Sequence, residues 1–453
     1  MKRKIILFFL IICFCVPMLT GCYDYREPNN IAYVIALGID KGSTDGIYKY
    51  SIQYARPTQI TGGASEGGGK GEDTSDIISI ESPSVYSAIN LANHAISKTF
   101  TLSHTKVIVV SEEIAKNGIS PIIDTFGRNS DIRPTVYFCI ASESAEKYLS
   151  SVKPSIEINP AKYYELIFEN NSSSYTPFID AQKIYFNYKN GSRNNVIPYV
   201  GASKNSKSNQ QNSDGQSESG SSESEKESGE ESKNSSGESD SNSMRNNIPL
   251  NESGFEYLIK EYISGNMDID ISYESEELGA AVFKGDKMIG TLNDIECKIY
   301  NIINGTYKDG YTSVYSEYTP LSPITILLVQ NKKPDVKVNV KNDVPYVYIK
   351  LHLNGDFIST AYESILEDHI DGFEQETCKY IKEAVTSFLN KTTKEYNSDI
   401  FGFYSYAKRY FLTYEDMINY NWDEKYGDTQ FFVDVDFNIK RTGLIIRSEE
   451  NTE

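Results

Sequence analysis

Apolar residues along this chain fall into two kinds of short run, near-continuous and periodic. Ile31–Ile39 is apolar at almost every position, which predicts a strand buried on both faces. Tyr48–Ala55 predicts a strand that pairs with it. Val85–Ile96 instead places its apolar residues at helical spacing. Lys106–Val110 reads as a short strand core, and Glu112–Phe126 as two short helices broken at Gly118. Thr135–Ala141 reads as another strand. Alternation of the two periods predicts an N-terminal α/β or α+β domain over residues 22–202.

The pattern stops at Ser203–Asn247, a stretch of Ser, Glu, Asn and Gly with no aromatic residue. Such a composition buries too little surface to offset chain entropy, so it predicts a disordered insertion in a surface loop. Apolar order resumes near Ile248 and predicts a middle α+β domain over 248–320. There, Gly279–Gly290 reads as two strands joined by a tight turn at Gly285-Asp286, followed by a helix from about Asn293 to Ile303. A C-terminal α+β domain is expected over 321–445, with a tail at 446–453. Its strands are Ile324–Val329, Val336–Val340 and Tyr346–Leu353. A helix over Glu363–Tyr396 then aligns Leu366, Ile370, Phe373, Ile381, Val385 and Phe388 on one stripe, on the order of 50 Å long. A last strand covers Phe431–Ile439. The fold class predicted is α+β: three mixed sheet-and-helix domains in series, the last with a long helix packed on a sheet.

The N-terminus carries a different signal. Lys2, Arg3 and Lys4 precede an apolar run from Ile5 to Val16, which Pro17 breaks before Leu19-Thr-Gly-Cys22. That run is too short to span a bilayer and has the flanks of a secretory signal. The four residues at its end resemble the bacterial lipobox. Residues 1–21 are therefore expected to leave as a lipoprotein signal peptide. Cys22 would become the new N-terminus, carrying an S-diacylglycerol and an N-palmitoyl chain. At ~0.8 kcal/mol per buried methylene, several acyl chains hold a protein on a membrane where one would not.

Charge narrows the partners. The chain has 44 basic and 63 acidic residues, a net charge of −19, and loss of the three N-terminal cations brings the mature form to −22. That sign disfavours nucleic acid and electrostatic adhesion to anionic lipid. Membrane residence would then rest on Cys22. Cys139, Cys297 and Cys378 are the other cysteines of the mature form, each in an apolar periodic segment. They form neither a disulfide framework nor a metal-ligand spacing and read as core thiols.

A search for chemistry finds no catalytic set. His94, His104, His352 and His369 show no zinc-site spacing. Ser103-His104 suggests a nucleophile and base, but on a strand adjacent side chains point to opposite faces, so His104 reads as structural. Gly69-Lys70 in the glycine-rich loop Gly62–Gly71 is not a phosphate cradle, because Ala64 and Gly71 occupy positions that need Gly and Ser/Thr. Asp268, Asp270 and Ser272 begin like a calcium loop, but Tyr273 and Gly279 stand where Gly and Glu are required. That stretch reads as a solvent-facing strand. Asp399, in Asp-Ile-Phe-Gly402, is one carboxylate without a partner. No enzyme, cofactor or metal is expected.

Several motifs in order resemble one family. They are Gly21-Cys-Tyr-Asp-Tyr-Arg-Glu27, Ala36-Leu-Gly-Ile-Asp-Lys41 and Ser103-His-Thr-Lys106. Ser111-Glu-Glu-Ile-Ala-Lys-Asn-Gly118, Arg128 with Arg133, and the 279–290 hairpin follow. The series ends with Asp399-Ile-Phe-Gly-Phe403, Asn421-Trp422 and Arg441-Thr-Gly443. This series is similar to the Ger(x)C proteins, lipoprotein C subunits of spore germinant receptors, with Tyr23 departing from the family's Trp. The resemblance implies a non-enzymatic, three-domain α+β protein, lipid-anchored on the outer face of the spore inner membrane. It would work with a polytopic B subunit and an A subunit. Family-motif positions Asp40, Lys106, Asp399, Trp422 and Arg441 carry no assigned role. Two other readings compete: the substrate-binding lipoprotein of an importer, which would show two similar lobes, and an envelope hydrolase, which would need a catalytic set.

Overall fold

The structure is a computed structural model that describes residues 2–15, 27–56, 74–128, 130–153, 157, 159–169, 175–191, 193–203, 261–267, 275–314, 316–318, 323–359 and 369–442. Cys22, the glycine-rich loop 62–71, most of the 203–247 insertion, the calcium-like start 268–274 and the tail 446–453 lie outside the described residues. The apolar N-terminal run is helix α1 (Lys2–Cys15). Among the described residues no helix is long and apolar enough to cross a membrane. The chain is α+β, and it resolves into two compact units, residues 1–169 with 179–186, and residues 170–178 with 187–453.

The first unit is built on β1 (Ile31–Lys41), β2 (Tyr48–Ala55), β3 (Ser75–Ser82), β4 (Thr99–Thr101), β5 (Val107–Ser111) and β6 (Tyr137–Ala141). Their order is β3-β2-β1-β5-β6, with β4 also on β1. The β1–β2 and β2–β3 pairs are antiparallel, whereas β1–β5 and β5–β6 are parallel. Every residue of β5 and β6 is buried, as the unbroken apolar runs require of strands covered on both faces. Helices α2 (Val85–Ala95), α3 (Glu112–Asn117) and α4 (Ser120–Gly127) follow the predicted pattern, including the break at Gly118. Three further helices escaped the periodicity: α5 (Ala145–Ser151), α6 (Pro160–Glu169) and α7 (Ala181–Asn190). Their buried faces hold few large apolar residues, Tyr148 and Leu149 on α5, Tyr164 and Phe168 on α6 and Ile184 on α7, too few for a clear helical period. Against Gly38 of β1, a Cβ would stand 3.1 Å from Leu149 and 3.2 Å from Ala145, so α5 packs close on that strand.

The second unit begins with the antiparallel set β7 (Val196–Ala202), β8 (Ser275–Lys284) and β9 (Lys287–Leu292). Helix α8 (Asp294–Asn304) starts with a reciprocal capping box between Asn293 and Glu296. It ends at Gly305, whose φ of 65° is the left-handed conformation that glycine adopts without penalty. A second sheet holds β10 (Asp309–Val314), β11 (Ile324–Val329), β12 (Asp335–Lys341), β13 (Val344–Ser359) and β14 (Gln430–Arg441). β13 is antiparallel to β11 and β12 and parallel to β14. Asn342 and Asp343, both at positive φ, make the tight β12–β13 turn. Helix α9 (Ile370–Lys394) packs on β14, where Glu374 accepts from Ile439 N at 2.6 Å and Cys378 Sγ donates to Val435 O at 3.5 Å. Its 25 residues span about 37 Å, shorter than predicted, and the expected first turn at 363–368 lies outside the described residues. Three short helices close the unit: α10 (Phe403–Ala407), α11 (Tyr414–Asn419) and α12 (Trp422–Lys425).

Two sequence readings are corrected. Ser103 and His104 do not alternate along a strand: they sit in the turn after β4, with Ser103 Oγ 2.9 Å from His104 Nδ1. A turn leaves adjacent side chains free to meet, which a pleated strand does not. Cys139 and Cys297 are buried core thiols, but Cys378 is only half-buried, because it sits beside the Phe373–Thr377–Ile381 stripe that α9 buries.

Candidate functional site

Asp399 and Trp422 are brought together. Asp399 follows α9 in a tight turn, and its carboxylate is buried. Oδ1 accepts from Gly402 N at 2.8 Å and Phe403 N at 3.1 Å, while Oδ2 accepts from Tyr404 N at 2.9 Å. These are the free N–H groups at the start of α10, which a carboxylate caps. The fourth donor is Trp422 Nε1, 3.0 Å from Oδ2. Gly402 has φ 74° and ψ 35°, a left-handed geometry that lets its N–H face the carboxylate. Burial pushes the Asp399 carboxyl above the usual carboxylate range, and the three backbone N–H donors oppose that push. The Asp-Ile-Phe-Gly-Phe motif and the lone tryptophan thus form one buried lock.

Arg193 completes that lock, and the sequence reading passed over it. Its guanidinium donates to Ile400 O at 2.8 Å, Tyr300 Oη at 2.5 Å and Asn304 Oδ1 at 2.9 Å. Asn194 N donates to Asp399 O at 2.9 Å. The clamp ties the end of α8 to the Asp399 turn. A sequence signal exists only in the polar run Asn190–Asn195 beside an apolar strand, and the partners stand more than a hundred residues downstream. Lys298, fully buried in α8, was also missed; its Nζ donates to Tyr311 O at 3.0 Å and Thr312 Oγ1 at 2.5 Å.

Asp40 performs the same task as Asp399 in the first unit. Its carboxylate accepts from Ala145 N at 2.8 Å, Glu146 N at 3.0 Å and Ser144 Oγ at 3.1 Å, holding the start of α5 against the end of β1. Lys106, just before β5, ion-pairs with Glu165 of α6 and keeps that carboxyl below its usual range. Arg441 lies exposed at the end of β14, where the strand register places it opposite Asp356. These three make contacts separate from those of the Asp399–Trp422 pair. His352 sits on the outward face of β13, between Asp335 at 2.8 Å and Asp436 at 3.4 Å. Among the described residues no group of three or more His, Cys, Asp or Glu could hold a metal ion. What the buried motif residues do chemically is accept and donate hydrogen bonds that fix chain turns.

Comparison with known proteins matches residues 24–202 to the family described as "Spore germination protein N-terminal domain". Residues 278–443 match the family described as "Spore germination B3/ GerAC like, C-terminal". Spore germination protein KC of Bacillus subtilis (strain 168) is 28% identical over 162 residues. That alignment covers 36% of this chain and 39% of the relative, so the chain spans well under half of that protein's length. Spore germination protein B3 of the same organism is 20% identical over 457 residues, covering 97% of each chain. A solved structure, "Crystal Structure of the GerBC protein", is similar at a TM-score of 0.49 and 16% identity, with 89% of this chain and 96% of that one covered.

Proposed function

Because the chain belongs to the family of spore germination proteins defined by these N- and C-terminal domains, we propose that it is the lipid-anchored, non-enzymatic C subunit of a nutrient germinant receptor. The observation that carries this reading is the match of both family domains, in order, on one chain. The geometry of the motif residues supports the non-enzymatic part. Asp40 accepts from backbone N–H groups and the Ser144 hydroxyl, Asp399 from backbone N–H groups and the Trp422 indole, so these side chains position chain segments instead of facing a substrate. Cys22 supports the anchor, with the outer face of the spore inner membrane as the site of residence. A tether of this kind raises the effective concentration of a weak contact with another membrane resident. That resident is a polytopic B subunit together with an A subunit.

The anchor is tested by Cys22→Ala, which should leave full-length precursor; membrane-bound mature protein of normal size in that variant overturns it. The function is tested by deleting the gene together with any paralogues. Spores should then fail to respond to a class of nutrients while still germinating with agents that bypass nutrient receptors. Normal nutrient germination in that strain would refute the proposal.

A further inference from the structure

A cavity of about 220 Å³ opens within the first unit, away from the Asp40 and Lys106 contacts. Its floor is apolar: Ile123 and Phe126 of α4, Ile132, Phe138 of β6 and Ile184 of α7, all buried. One wall is Tyr185, which lies directly over Gly127; a Cβ on that glycine would stand 2.8 Å from the ring. Glycine at the end of α4 therefore lets α7 approach and shape the recess. The rim is polar, formed by the exposed side chains of Arg133 and Gln182.

Arg133 distinguishes this recess from a packing gap. Among the described residues its guanidinium has neither a hydrogen-bond nor an ion-pair partner. The first N–H groups of α7 are already committed: Ala181 N to Val136 O and Gln182 N to Pro134 O, each at 3.0 Å, and Lys183 N to Asp180 Oδ1 at 2.7 Å. An anion at the rim therefore has Arg133 as its cationic donor, aided by the Gln182 amide. A concave apolar floor with a few convergent polar groups is the usual form of a small-molecule site. The volume suits one ring or one branched chain, below the span of drug-sized pockets.

We propose that this cavity binds a small monocarboxylate with an apolar body, its carboxylate on Arg133 and its hydrocarbon on the Phe126–Phe138 floor. The proposal stands apart from the receptor assignment, since it rests on the cavity alone. Arg133 also acts on His104, whose imidazole is held below its usual range by burial and by the Arg133 and Lys106 charges. A bound carboxylate would cancel part of that field, so His104 reports occupancy.

Ligand-observed NMR on the full chain tests this with phenylacetate, phenylacetamide and acetate. Phenylacetate should bind saturably, with an affinity about millimolar for so few atoms. Phenylacetamide, which lacks the charge, and acetate, which lacks the apolar body, should each bind about tenfold more weakly. Saturation with phenylacetate should move the His104 imidazole midpoint upward. In Arg133→Gln, a rim substitution that leaves the floor intact, the preference of phenylacetate over phenylacetamide should vanish and His104 should no longer respond. Equal binding of the acid and the amide overturns the proposal, as does acetate binding as tightly as phenylacetate. Absence of saturable binding, or an unchanged preference in Arg133→Gln, overturns it as well.

Discussion

Replacing Asp399 with Asn isolates the lock at the end of α9, because the two side chains have the same shape. Each carboxylate oxygen accepts two buried N–H groups, Gly402 and Phe403 on Oδ1, Tyr404 and Trp422 Nε1 on Oδ2. An amide keeps one oxygen and presents an NH₂ group to the other two donors. Two buried donors then lose their acceptor, at about 1–3 kcal/mol each. Relief from burying a charge offsets part of this, leaving a loss of about 2–4 kcal/mol. Trp422 is the sole tryptophan and lies in the second unit, so its fluorescence in a urea titration follows that unit directly. The same bond can be counted separately. Trp422→Phe removes one charge-assisted hydrogen bond, and circular dichroism follows the variants that lack the indole. Combined with Asp399→Asn, its effect should fall short of additive by about 1–3 kcal/mol. An Asp399→Asn midpoint within about 0.5 kcal/mol of the parent, or strict additivity, would show that the carboxylate does not hold this turn.

Three further outcomes follow from the same geometry. Gly402→Ala, at φ 74°, should cost the second unit about 1–2 kcal/mol in the same urea titration, and an unchanged midpoint would argue against the left-handed turn. Lys391→Met should destabilise by about 1–2 kcal/mol. It leaves the half-buried Glu296 without the ammonium 2.6 Å away; although burial alone would lower Lys391, Glu296 holds it above its usual range, and a stabilised variant would contradict the pairing. The Asp335 carboxyl, hydrogen-bonded by Lys332 and His352, is held at about 2. Because that value lies below the unfolded one, its stabilising contribution is complete above the usual aspartate range and is lost as pH falls through about 2. An NMR titration should find that midpoint low and rising in Lys332→Ala; an ordinary midpoint in the parent chain would contradict the contact.

Legibility in the sequence tracked how local each determinant is. The helix over 294–304 was readable because both ends announce themselves, an Asn293/Glu296 box and a terminal Gly305. Strand β11 is readable because Ile324–Val329 is apolar at every position but Thr325. For β13 the expected strand Tyr346–Leu353 stops before Asn354-Gly355-Asp356, which has the composition of a turn. In the fold the strand continues, and Gly355 serves instead to admit Phe437, since a Cβ there would stand 2.8 Å from that ring. The same limit governs the site. Asp399 drew notice as a lone carboxylate because its indole donor is 23 residues away and Arg193, which ties down the same turn, lies more than two hundred residues upstream. Caps can be read from neighbours in sequence; clamps between distant segments cannot.

The proposed membership in a receptor at the spore inner membrane is tested most directly by purification from spores. The full chain, tagged at its C-terminus and expressed at its own locus, is captured from solubilised inner membrane after mild crosslinking. A polytopic protein and a second subunit with soluble and membrane parts should co-purify with it, and both should be lost with Cys22→Ala. Recovery of the chain with importer permease components, or alone with no integral membrane partner, would contradict that membership.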